Sequence, residues 1–186
     1  DRTKEEGLKS ETNYDIANRQ KGEEVADSTI NFKLKKGGTA YTDSEEKNVA
    51  VYFYDTNKRA ASATSDDLMK QSNTYTLNPF SLNPPTTLAE IDMTTEEGLM
   101  SETIYDIANR EKGEEVADYT INFKLKKDGT AYTDSEEKNV AVYFYDTNKR
   151  AASATSDDLM KQSNTYKWNL FSLNPSITLA EIDMTT

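Results

Sequence analysis

Residues 38–75 read GTAYTDSEEKNVAVYFYDTNKRAASATSDDLMKQSNTY, and the same letters return without a change at 129–166. An exact internal repeat fixes the architecture before any local pattern is read, because one stretch of sequence must satisfy the same fold twice. Aligning Asp1 with Asp92 gives a period of 91 residues, so the 186-residue chain holds two copies. Its closing Asp183-Met184-Thr185-Thr186 restates the opening of the second copy and is expected to begin a third. Domains at 1–93 and 94–186 follow, each above the roughly 60 residues below which a single core becomes marginal without staples.

The formal charge of -11 disfavours nucleic acid and anionic membranes, since phosphate binding calls for a basic patch. No run of eighteen apolar residues is present, so no membrane insertion is expected. The start at an aspartate reads as a mature or excised fragment. Although 30% of residues are charged, eleven tyrosines and regular alternation argue for a folded chain.

Thr29–Lys35 alternates Ile30, Phe32 and Leu34 with polar residues at period two, the pattern of a half-buried strand. Gly37-Gly38 in the first copy and Asp128-Gly129 in the second suit a tight hairpin, and a strand should return directly. Asn48–Asp55 is apolar on both faces and reads as central. After the Thr56-Asn57-Lys58 turn the pattern predicts a strand over 59–64 and a helical turn over Leu68–Gln71. It also predicts an extended segment over 73–82, a break at Asn83-Pro84-Pro85 and a closing strand through Leu88, Ile91 and Met93. Thr103–Ala108 alternates like a strand. Six or seven short strands in about ninety residues predict an all-β fold of tandem immunoglobulin-like β-sandwiches.

At Tyr52-Phe53-Tyr54-Asp55, and again at Tyr143–Asp146, the chain resembles the FxLYD-type domains of bacterial extracellular proteins, over about half of each repeat. The resemblance rests on an alternating strand that ends in aromatic-x-aromatic-Asp before a turn. It departs at Asn57-Lys58, where the family often has glycine, and at the N-terminal third. It implies a sandwich on a cell surface and names no catalytic residue.

Histidine and cysteine are both absent, which removes the Ser-His-Asp and Cys-His triads and the usual zinc sites. Ser44-Glu45-Glu46-Lys47 has the letters Ser-x-x-Lys without the elements that accompany them in lactamases, and reads as a charged turn. Asp43–Glu46 and Ser65–Asp67 are acidic enough to attract calcium, with a solvated loop as the plainer reading, and no metal site is assigned. Asp55 is expected to cap its turn through its side chain. Lys33, Lys35 and Asn48 offer the residue types of a Lys-to-Asn amide cross-link without its diagnostic motif.

Twelve positions differ between the copies. Met93, Met100, Ile104, Tyr119, Trp168, Leu170 and Ile177 of the second stand where the first has Arg2, Lys9, Asn13, Ser28, Leu77, Pro79 and Thr86. These seven are expected outside the core. They form either the face a repeat presents to its predecessor, with the first copy as an end cap, or a site for a protein or glycan ligand with Trp168 and Tyr119 as anchors. The chain therefore reads as a non-enzymatic stalk or adhesion module of a bacterial cell-surface protein. A ligand-binding module and a filament subunit that exchanges strands are the alternatives.

Overall fold

The structure, a computed structural model, describes residues 7–76, 88–129, 131–168 and 182. Its strands are β1 (Ser10–Asp15), β2 (Val25–Gly37), β3 (Ala40–Tyr54), β4 (Met69–Thr76), β5 (Leu99–Asp106), β6 (Val116–Asp128), β7 (Ala131–Tyr145) and β8 (Met160–Lys167). They form one antiparallel sheet in which every strand pairs with its sequence neighbour, β1 through β8.

The hairpins set this order. In the first copy Gly37 pairs with Ala40, leaving Gly38-Thr39 as a two-residue turn with Gly38 at φ 70, which glycine adopts without a Cβ clash. The strand that returns is longer than the sequence pattern predicts. It includes Asp43-Ser44-Glu45-Glu46, expected in a loop, because once the hairpin closes the backbone ladder continues through these polar residues.

Val49, Val51 and Phe53 project from one face of β3 and are buried with Tyr75, Ile91 and Leu99. Each such side chain removed from water contributes about 1.5–3 kcal/mol. The cover on this face is a crossing segment that contains Leu88–Glu90 and Ile91. It forms a 3-10 turn where the sequence predicts a closing strand. Arg59 fixes it there, donating through Nη1 to the carbonyls of Leu88 and Ile91 at 3.0 and 2.7 Å while pairing with Asp27. On the opposite face Tyr54 packs with Val25, Ala60 and Ala63, beneath the turns that link β3 to β4. The second copy repeats both layers, with Val140, Val142, Phe144 and Ile182 on the first face and Tyr145, Val116, Ala151 and Ala154 on the other.

Two local expectations are corrected here. Ala60–Ser62 is a 3-10 turn and not part of a strand, and it places Ala60, with Ala63 just after it, against Tyr54. Met69–Gln71 opens β4 and is not helical, because its backbone pairs with Phe53 and Tyr54. The extended segment over 73–82 coincides with β4 as far as Thr76, and its remainder, with the break at 83–85, lies outside the described residues.

The all-β class holds. The described strands form a single antiparallel sheet that crosses the expected boundary at 93–94, where β4 of the first copy pairs with β5 of the second. The physical reason is an open edge. A strand ending the first copy has a row of free N–H and C=O groups, and β5 follows closely enough in sequence to satisfy them.

Candidate functional site: the junction between copies

The linker arrives at β5 through a fixed turn. Asp92 Oδ1 accepts from the Thr94 N–H at 2.8 Å and from the hydroxyls of Thr94 and Thr95 at 2.7 and 3.2 Å, which holds its carboxyl below the usual range. Glu96 then accepts from the Ser135 N–H through its carbonyl at 3.2 Å, tying the turn to β7.

Along the ladder Gln71 faces Ile104, Asn73 faces Glu102 and Tyr75 faces Leu99, with a register shift that leaves Met100 as the extra residue. β4 carries a row of buried polar side chains: Gln71 Nε2 donates to Asn73 Oδ1 at 2.8 Å, Asn73 Nδ2 to the Tyr75 oxygen at 3.0 Å, and the Tyr75 hydroxyl to the Thr95 carbonyl at 3.1 Å. Buried polar groups persist where they find partners, and here the last partner comes from the linker. Burial pushes the Tyr75 hydroxyl up to about 12. Glu102, half-buried, has its carboxyl raised by burial and further by Glu96.

The other face is bound as well. Glu115 Oε1 accepts from the Met69 N–H at 3.1 Å, across the boundary between copies. Burial raises the Tyr105 hydroxyl on this face, with Ser72 of the first copy acting the other way.

Of the seven residues singled out by the comparison of copies, Met93 packs against the first copy's core, and Met100 and Ile104 are half-buried in β5. Tyr119 stands between Ile104 and Val142 in the sheet, its hydroxyl raised by burial. Trp168 lies with Tyr119 against Val140, Val142, Phe144 and Ile182. Leu170 and Ile177 lie outside the described residues. Met93 thus lies against the preceding copy, whereas Tyr119 and Trp168, expected outside the core, pack partly buried against the core of their own copy. Tyr119 pairs with Val142 and so shares its face, as alternation from Ile121 already implies.

The remaining candidates fall elsewhere. Asp55 accepts from the Leu68 N–H at 3.4 Å, so its carboxylate spans the excursion between β3 and β4 in place of capping its own turn. Lys35 pairs with Glu45 at 3.1 Å and Asn48 accepts from Asn31 at 2.9 Å, so the two are engaged with other partners. Among the described residues no three acids, histidines or cysteines are grouped to hold a metal ion, and no helix is long and apolar enough to cross a membrane.

Sequence reasoning missed Arg59, Glu102, Glu115 and the Gln71-Asn73-Tyr75 row. The signal for the row is period-two spacing in MKQSNTY, whose residues are mostly polar and so carry little hydrophobic contrast. No family model, curated protein or solved structure matches the chain.

Proposed function

We propose that the chain is a non-enzymatic structural module of a bacterial cell-surface protein, in which tandem copies build a stalk or an adhesive extension. The observation that carries this reading is the β4–β5 ladder: two copies share one sheet, and the first copy's core and polar row are completed by Leu99 and Thr95 of the second. Such a joint resists bending, because flexing it would break backbone hydrogen bonds and expose Leu99 and Tyr75 together. A flexible linker would give no such geometry.

The cell-surface setting and the immunoglobulin-like assignment of each copy rest on the resemblance at Tyr52–Asp55, whereas the described strands make a single sheet. The absence of histidine and cysteine from the sequence supports a role without nucleophilic or zinc chemistry.

Small-angle X-ray scattering on the chain and on a version extended by one further second-type copy tests the array. The longest dimension should grow by about 19 Å per copy, four strands at the ~4.8 Å spacing. A compact particle, or a broad distribution typical of hinged domains, would reject it. Antibody labelling of intact cells tests the surface location.

A further inference from the structure

We propose that β8 is an acceptor edge, built to receive a β5-type strand from a further repeat of the second type, and that β1 is a terminus that declines the same pairing. The inference rests on reading the chain as part of an array and adds a direction to it.

β8 repeats β4 in its first seven residues, MKQSNTY, and differs in the last, Lys167 for Thr76, and β4 is paired with β5 in the same molecule. No described strand pairs with the outer edge of β8, which already holds the first two bonds of that polar row: Gln162 Nε2 donates to Asn164 Oδ1 at 2.6 Å and Asn164 Nδ2 to the Tyr166 oxygen at 3.1 Å. A row already in place spares the ordering cost of binding. The cover is what differs. Leu68 is 8% exposed beside the second copy, whereas its counterpart Leu159 is 73% exposed and Met160 next to it 51%. Backbone donors are set the same way. Thr76 N–H donates to the Gly98 carbonyl just before β5 and Trp168 N–H to the Lys138 carbonyl in β7, so alternation turns the N–H groups of Thr165 and Lys167 outward.

The occupant is specified by what β5 brings to β4: Leu99, Met100 and Ile104, backed by Tyr119. Lys9 just before β1, Asn13 within it and, behind them, Ser28 of β2 stand at the corresponding positions. Docking β1 on a β4-type strand would bury an ammonium and an amide where β5 places methionine and isoleucine. A further second-type repeat is therefore the partner β8 fits, and a second molecule's β1 is not.

The test uses the full chain and a fluorescent peptide spanning residues 92–110. Saturable binding is expected, weakened about tenfold or more by M100K/I104N in the peptide, as loss of a buried isoleucine implies. It should also be lost in the T165P chain, whose proline removes an outward donor. Absence of binding, equal binding of both peptides, or binding untouched by T165P would overturn the proposal. A second measurement is independent of peptides: sedimentation of K9M/N13I/S28Y should show head-to-tail oligomers that grow with concentration and vanish on adding T165P, while the unaltered chain stays monomeric. A monomeric triple variant, or an oligomeric unaltered chain, counts against it. Scattering from the extended chain is unaffected by either result, so the array reading and this one fail separately.

Discussion

Asn73 and Glu102 stand opposite each other where the two copies meet, the amide fully buried and the carboxyl half-buried with its proton affinity raised. The folded chain holds that proton more tightly than the unfolded chain does. In the window between the ordinary glutamate range and the raised value the folded state therefore binds more protons, and stability from this group falls as pH rises. Asp67 and Asp92 act the opposite way, losing stability as pH falls through their lowered values. Comparing Glu102→Gln with the unaltered chain isolates the junction. The variant should have a higher urea midpoint at pH 7, and the gain should vanish below the ordinary glutamate range. A gain independent of pH would show that the carboxyl's charge is not what the junction opposes.

Arg59 joins three pieces of the first copy. Its Nε and Nη2 donate to Asp27 at 3.1 and 2.7 Å, its Nη1 reaches two carbonyls of the crossing segment, and the guanidinium lies 5.9 Å from the centre of the Phe53 ring. A lysine supplies the charge but not the planar fork. Arg59→Lys should cost about 2–3 kcal/mol, the loss of charge-assisted bonds in a largely buried setting, measured by denaturant unfolding. A cost below about 0.5 kcal/mol, the scale of an ordinary surface change, would mean that the crossing segment is held by its apolar residues alone.

Much of this framework is legible in the letters. The Gly37-Gly38 turn predicts the β2–β3 hairpin, and Val49, Val51 and Phe53 predict the buried face of β3. What escapes is pairing between distant segments that lack hydrophobic contrast. Gln71, Asn73 and Tyr75 alternate as a strand must, but polar alternation reads the same for an edge, a loop or a helical turn. The burial of Tyr119 escapes for a different reason. A strand taken to begin at Thr29 gives no face to the residue before it, and β2 in fact begins at Val25.

Glu24 and Glu115 offer a matched comparison within one molecule. Each carboxylate accepts from a glycine N–H in its own loop, Gly22 at 2.8 Å and Gly113 at 2.9 Å, but Glu115 also accepts from the Met69 N–H across the junction. Alanine at either position removes the local bond. The difference between Glu115→Ala and Glu24→Ala should therefore approximate the bond between copies, about 1–2 kcal/mol for a donor to a charged acceptor. Amide hydrogen exchange at Met69 checks it directly: protection should fall in the Glu115 variant and be unchanged in the other. Equal exchange in both would remove Glu115 from the junction.

Thr56 and its counterpart Thr147 occupy the left-handed region, at φ 56 and 60, each followed by an asparagine that does the same. Asparagine tolerates this conformation, whereas a β-branched side chain is a genuine outlier there, at a cost on the order of 1–3 kcal/mol. The turn is closed on both sides: Tyr54 N–H donates to the Lys58 carbonyl at 2.8 Å, and Lys58 N–H returns to the Tyr54 carbonyl at 3.2 Å. The surrounding pairing thus imposes the conformation on the threonine. Thr56→Asn should raise stability by about 1 kcal/mol, or about 2–4 °C in Tm, by relieving that strain. Thr147→Asn should do the same, and because the two turns lie in different copies with no shared partner, the gains should add. A loss on either substitution would show that the threonine side chain contributes a contact worth more than the strain it carries.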